Sequence, residues 1–286
     1  YREAIPDWID ELCEKALGDE LWTKEIAALN EQAEVILRTN TLKTTREKLR
    51  KILLDEGIVA EPIKGYPLAL KLVERANVFV TQAFKDGLFE VQDASSQLVS
   101  ELLDVQPGQR VVDTCAGAGG KSLHLAALME NKGQLISMDV YISKLKELKR
   151  RARRNGAHNI ETREIDSTKV FKKLYGSADR VLIDAPCTGL GVIRRNPDTK
   201  WKLQPEFLDK ILATQAEIIR SYSKIVKPGG KMVYATCSIL PQENGDQVQS
   251  FLQSEEGKDF SLVKDKNIFA SQSGFDGFYM ALLQRK

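Results

Sequence analysis

The chain has 286 residues, 42% hydrophobic and 29% charged, enough to bury a sizeable core in one large domain with a smaller companion, which sets general disorder aside. A net charge of +2 is too small to mark a nucleic-acid binder by itself, and no apolar run approaches the length of a membrane span. Four cysteines, Cys13, Cys115, Cys187 and Cys237, form no Cys-x-x-Cys pair, so neither a metal site nor a disulfide framework is expected.

The start, Tyr1-Arg2-Glu3-Ala4-Ile5-Pro6, has no initiator Met and no signal-peptide pattern; it leaves room for further chain upstream, and the expected location is cytoplasmic. From residue 7 to about 54 the apolar spacing is helical, interrupted by an extended stretch at Val35-Ile36-Leu37-Arg38-Thr39. Gly57 is expected to end the second helical segment, Tyr66-Pro67 and Asp86-Gly87 punctuate the chain after it, and 69–73 and 77–80 read as short strands. Residues 1–90 are therefore expected to form a small α+β domain. Beyond Gln92 the rhythm changes. Strands at 110–113, 134–139, 160–164, 180–184 and 231–235 alternate with helices at 121–129, 142–155 and 207–226, the second stopped by Gly156 and the third by Pro228-Gly229-Gly230. For residues 91–286 this predicts a doubly wound α/β domain, Rossmann-like, with a parallel sheet covered on both faces. Ligands of such sheets bind beyond the carboxyl ends of the strands, where the strand order reverses.

The first of these strands runs into Asp113-Thr114-Cys115-Ala116-Gly117-Ala118-Gly119-Gly120-Lys121-Ser122, a glycine turn that opens a helix and brings backbone N–H groups close to a ligand. A P-loop fails because Cys115 stands where its earlier glycine is required; the dinucleotide fingerprint fails at Ser122. Acids follow the next strands: Asp139 closes the second, placed to accept ribose hydroxyls, Asp166 follows the third, where it could instead cap a helix, and Asp184 ends the fourth. Three acids and a glycine loop on one sheet edge suggest a nucleoside pocket.

Two cysteines share that edge. Asp184-Ala185-Pro186-Cys187-Thr188-Gly189 follows the fourth strand and Ala235-Thr236-Cys237-Ser238 the fifth; either thiol alone reads as an incidental buried one. With the loop from Asp113 to Lys121, Leu37-Arg38-Thr39-Asn40-Thr41-Leu42-Lys43, Val91-Gln92-Asp93-Ala94-Ser95-Ser96-Gln97, Arg194-Arg195-Asn196-Pro197-Asp198 and Asp276-Gly277-Phe278-Tyr279-Met280-Ala281, the chain resembles the RNA cytosine-5 methyltransferases, and among them the bacterial small-subunit ribosomal RNA methyltransferase B type. Two departures stand out. Ala118 replaces the family's usual proline, and the bacterial type's upstream all-helical RNA-binding domain has no counterpart before Tyr1.

The resemblance implies S-adenosylmethionine as cofactor, held by Cys115, Ala116, Gly117, Ala118, Gly119, Gly120, Lys121, Asp139, Asp166 and Asp184, with no metal and no membrane. It implies Cys237 as the nucleophile that adds to carbon 6 of cytosine, Asp184 as the holder of the base edge, and Cys187 as the group that helps the adduct break down. Lys121 has two readings, a cation that touches a cysteine or the base and a surface lysine at a helix start. The target base must be single-stranded or flipped out; ribosomal and transfer RNA both stay open. Basic residues at Arg194, Arg195, Lys200 and Lys202 are expected to grip RNA phosphate, and Lys43, Arg46, Lys48, Arg50 and Lys51 to add contact from the small domain. The cluster Lys144, Lys146, Lys149, Arg150, Arg151, Arg153, Arg154 reads more readily as a solvated helix face. A small-molecule or protein methyltransferase would have no use for cysteines at two strand ends, and a noncatalytic RNA-binding protein could dispense with Cys237.

Overall fold

The computed structural model describes residues 4–286; Tyr1 to Glu3, the first half of the chain's starting segment, lie outside the described residues. The amino-terminal sheet has four short strands, β1 Ile36–Thr39, β2 Ala60–Pro62, β3 Ala69–Leu72 and β4 Phe89–Val91, in the order β2-β3-β1-β4 with antiparallel pairing throughout. The helix Arg46–Asp55 covers one face because its apolar positions Leu49 and Leu53 recur at helical spacing and meet Leu37, Leu70, Leu72 and Phe89. Thr45 caps it, its side chain accepting from the Lys48 N–H.

The expected strand at 77–80 is instead a single 3-10 turn, Val78–Val80. The Asn77 side chain accepts from the Phe79 N–H and starts that turn, and Phe79 and Val80 face solvent. Two strands went unread. β2 carries Pro62 and lies at the sheet edge, the place where a proline costs no ladder bond; β4 is only three residues long and begins where residues 1–90 were expected to end.

The second sheet has seven strands: β5 Arg110–Asp113, β6 Gln134–Asp139, β7 Ile160–Glu164, β8 Ala178–Asp184, β9 Val226–Thr236, β10 Phe260–Ile268 and β11 Phe278–Arg285, ordered β10-β11-β9-β8-β5-β6-β7. β5 to β9 are mutually parallel, as expected. β11 runs antiparallel between β9 and β10, so the sheet is mixed rather than purely parallel. The third helix is Pro205–Ser223, ending short of the Pro228-Gly229-Gly230 expected to stop it; that triplet falls within β9, where the pairing with β8 skips from Val226 to Lys231.

Alternate side chains bury both faces. Val111, Leu135, Leu182 and Val233 meet helices 94–102, 120–128 and 142–155, whereas Val112, Ile136, Ile183 and Tyr234 meet helices 205–223 and 245–252. The chain leaves β5 toward β6 and β7, then returns to β8 and β9 on the other side, so the order reverses between β5 and β8. The first two helices, Asp7–Leu17 and Asp19–Asn30, do not cover the small sheet. Ile9, Cys13, Trp22 and Ile26 pack on Leu190, Ile193, Ile239 and Leu240, the segments that follow β8 and β9. Among the described residues no helix is long and apolar enough to cross a membrane.

Candidate active site

A cavity of about 640 Å³ opens at the reversal point, lined along its floor by Asp113, Cys115, Gly117, Gly120, Asp139 and Asp184. That volume suits a nucleoside-sized ligand. The glycine turn is fixed on several sides. The Ala116 N–H donates to the Met138 carbonyl at 2.8 Å, and the Gly117 N–H donates to Asp139 Oδ2 at 2.8 Å. Arg38, buried on β1, donates to the Gly120 carbonyl at 2.7 Å, and Arg151 donates to the Ala118 carbonyl at 2.8 Å. Gly117 and Gly119 both have positive φ, and a side chain on Gly119 would collide with Leu148 at 2.5 Å, so only glycine lets the turn approach the helix behind it. The helix Gly120–Leu128 starts at the cavity wall and turns its positive end toward the ligand space.

Three carboxylates differ in their surroundings. Asp139, 8% exposed, accepts from Gly117 and, at 2.9 Å, from the Tyr141 N–H. Asp113 is fully buried; its Oδ2 accepts from Ser122 Oγ at 2.6 Å while its Oδ1 has no protein partner. Burial pushes the Asp113 carboxyl up to about 7, against the Ser122 hydrogen bond that lowers it. Asp184 accepts from Lys121 Nζ at 2.6 Å. Lys121 is thus a nearly buried ion-pair partner that also lies 5.2 Å from the Phe278 ring centroid, and the surface-lysine reading does not hold. Burial pulls the Lys121 pKa down, but the Asp184 carboxylate outweighs it and holds the ammonium charged.

Cys187 and Cys237 converge from the ends of β8 and β9, Sγ to Sγ 3.3 Å. The hydrogen bond to Cys237, with burial behind it, pushes the Cys187 thiol well up. Cys115 lines the cavity, and burial pushes its thiol up too. Of the other expected residues, Asp166 lies exposed two residues past β7, accepting from its neighbour Ser167, while Ile165 occupies the cavity wall there. Gly119 shapes the turn without lining the cavity.

Sequence reasoning missed the wall opposite the loop, which Tyr141 and, from the long helix, Thr214, Ile218 and Tyr222 supply. Tyr141 could have been found from its place beside Asp139; the helix residues carry no local signal. The orphaned Asp113 oxygen also went unread, though Asp113 opens the loop. Together, one unpartnered buried carboxylate oxygen, a partly engaged carboxylate and a helix amino terminus match a ligand that carries hydroxyls, an ammonium and a carboxylate.

Arg194 and Arg195 are both engaged by carboxylates within the protein. Arg194, its side chain 4% exposed, donates to Asp276 Oδ1 at 2.8 Å, and Arg195 bonds Asp276 and, at 2.8 Å, Asp93. Lys200 is buried and donates to Asn30; Lys202 is exposed beside Asp198. Arg194, Arg195 and Lys200 therefore cross-link segments far apart in the chain, and the carboxylates that neutralise Arg194 and Arg195 are themselves buried. On the basic helix, Arg151 and Arg154 pair with buried Glu90 of β4, leaving Lys146, Lys149, Arg150 and Arg153 exposed. In the small domain Lys43, Arg46 and Arg50 each donate to backbone carbonyls, and Lys48 and Lys51 are exposed.

The chain is 37% identical over 288 residues to the ribosomal RNA small subunit methyltransferase B of Serratia proteamaculans, covering 97% of this chain and 66% of that protein. It is 35% identical over 256 residues to a Synechocystis sp. protein named as a probable ribosomal RNA small subunit methyltransferase B, covering 88% of this chain and 57% of that protein. The chain therefore spans less than two thirds of the length of these curated relatives. The crystal structure of a methyltransferase homolog protein from Pyrococcus horikoshii superposes with a TM-score of 0.88 at 25% identity, over 100% of this chain and 97% of that one. Residues 5–79 match the ferredoxin-like domain of the RsmF/B-like methyltransferases. Residues 100–284 match the 16S rRNA methyltransferase RsmB/F family, and to that family the chain belongs.

Proposed function

We propose that this chain transfers a methyl group from S-adenosylmethionine to carbon 5 of a cytosine in RNA, with ribosomal RNA as the substrate class, through a covalent Cys237 adduct. The observation that carries this reading is the meeting of two thiols from separate strand ends, 3.3 Å apart, beside the Lys121–Asp184 pair. The donor, when bound, supplies an electrophilic methyl group on a sulfonium. Asp139 would offer its remaining lone pairs to the ribose hydroxyls, the Gly120 helix end would attract the methionine carboxylate, and Asp113 would accept from the ammonium.

Carbon 5 of cytosine is a weak nucleophile, and addition of the Cys237 thiolate at carbon 6 moves electron density onto it. Asp184 gives one oxygen to Lys121; the other holds the amine edge of the base and favours protonation of the adjacent ring nitrogen as the adduct forms. After methyl transfer the carbon 5 proton passes to solvent water, the ring double bond re-forms, and the carbon–sulfur electron pair returns to Cys237. A protonated Cys187 hydrogen-bonds the departing thiolate, consistent with a thiol pushed well up. The base has to leave its stack to reach this depth. Residues 1–90, with Lys48 and Lys51 exposed, are the auxiliary RNA-binding unit and 91–286 the catalytic one.

The test uses labelled RNA, cofactor and a denaturing gel. Cys237→Ala is expected to abolish both methyl transfer and the protein–RNA adduct, whereas Cys187→Ala is expected to accumulate the adduct. Accumulation in Cys237→Ala alone would reverse the two roles. Two incidental thiols would give no adduct in either variant.

A further inference from the structure

A single buried carboxylate ties the two cysteine loops together. Glu243 lies in the turn Pro241–Glu243 after β9 and is fully buried. Its Oε1 accepts from the Thr188 N–H at 2.8 Å and from Gln215 Nε2 at 3.0 Å. Its Oε2 accepts from Thr188 Oγ1 at 2.6 Å and from Ser238 Oγ. Thr188 follows Cys187 and Ser238 follows Cys237, so these two donor residues are the immediate neighbours of the two thiols. Gln215 also donates to the Pro186 carbonyl at 2.9 Å, which holds the other side of Cys187. The turn itself is braced by Tyr234, whose hydroxyl donates to the Glu243 carbonyl at 2.8 Å, and by Asn244, which donates to the Ser238 carbonyl at 2.9 Å.

Four donors converge on one point, and a carboxylate, with two acceptor oxygens and no proton of its own to place, satisfies them all. A buried charge is costly unless it is saturated in this way. We propose that Glu243 is the positioning residue of the reaction: it holds the loops after β8 and β9 in register, so that Cys187 and Cys237 reach the same pyrimidine. The assignment rests on the cysteine roles proposed for the methyl transfer.

The same carboxylate has a charge effect. The titratable groups that face Cys187 are Cys237, Glu243 and, through β9, Tyr234. The negative charge of Glu243 adds to the hydrogen bond with Cys237 and to burial in keeping the Cys187 thiol protonated.

Two measurements test this, one dependent on RNA and one not. Glu243→Ala is expected to lower kcat by about tenfold or more, as misplacement of a reacting group does, with S-adenosylmethionine affinity unchanged because the cofactor cavity does not include Glu243. Glu243→Gln keeps one acceptor oxygen and turns its amide toward hydroxyls that can accept, so it is expected to recover most of that loss. Thr188→Val, which removes a single donor to the carboxylate, covers the case in which Glu243→Ala does not fold, and a lower kcat is expected there too. The second measurement follows alkylation of Cys187 by iodoacetamide against pH, read by mass spectrometry. In Glu243→Gln the profile is expected to move to lower pH, since a charge that disfavours the thiolate has gone. Unchanged kcat in Glu243→Ala or Thr188→Val, cofactor affinity that falls in step with kcat, or an unmoved Cys187 profile would each overturn the proposal. A wild-type protein that methylates no RNA would overturn the functional reading instead, and the alkylation profile would still decide on Glu243.

Discussion

Replacing Asp276 by Asn tests whether Arg194 and Arg195 serve the fold rather than the nucleic acid. Asp276 is 1% exposed and accepts from Nε of both Arg194 and Arg195. With a neutral amide in its place, Arg195 keeps Asp93, but Arg194 keeps only neutral acceptors, the amide oxygen and the Gly274 carbonyl at 3.1 Å, leaving a buried guanidinium without a counter-charge. Breaking a buried pair from one side costs about 3–5 kcal/mol. An unfolding entropy of about 2.1 cal/mol/K per residue gives about 0.6 kcal/mol/K for 286 residues, so the melting temperature is expected to drop by about 5–8 °C. Differential scanning calorimetry reads that drop directly. Had the pair Arg194 and Arg195 been free to hold phosphate, Asp276→Asn would leave melting unchanged, and Arg194→Ala would reduce the salt slope of RNA binding by about 0.7. A melting temperature within about 1 °C of the wild type would refute the structural assignment.

Three further outcomes are expected. Gly191→Ala places a Cβ 2.2 Å from the Gly277 carbonyl oxygen and 2.9 Å from that of Cys237; the backbone has to shift, at about 1–3 kcal/mol, and a melt with a methyl-transfer assay should show lost stability and lost activity together. Asp139→Ala should weaken the binding of both S-adenosylmethionine and its demethylated product in calorimetric titration, and unchanged affinity would remove Asp139 from the site. Asp113 has a folded pKa of about 7 against a usual 3.8, so its stabilising contribution is complete below about pH 4 and is lost as pH rises through about 7. Urea midpoints of the wild type at about pH 5 and about pH 8 should therefore differ more than those of Asp113→Asn, and equal differences would contradict the raised value.

What the sequence made legible was local. The glycine turn, Asp139, Asp184 and both cysteines each sit within a few residues of a strand end, and an apolar run followed by an acid or a thiol is visible in a single stretch of chain. The carboxyl-terminal hairpin was not, because β10 exposes most of its side chains and shows no alternation. Arg194 and Arg195 looked like free cations because their partners Asp276 and Asp93 lie 82 and 102 residues away in the chain. Glu243 carries no signal in its own stretch of chain for the same reason: the Thr188 bonds that define it span 55 residues.

The anchoring of the glycine turn by the small domain bears on how RNA is admitted. Arg38 on β1 holds the Gly120 carbonyl, and Glu90 on β4 holds Arg151, which in turn holds the Ala118 carbonyl. Swinging the small sheet away from the cofactor loop would strand a buried cation and a buried anion at once, a penalty of several kcal/mol before any RNA contact is made. The two halves of the jaw are therefore braced against each other, and it cannot work by clamping. Under the proposed function, conformational adjustment falls to the nucleic acid, and such a rigid mouth favours RNA segments whose cytosine unstacks at little cost.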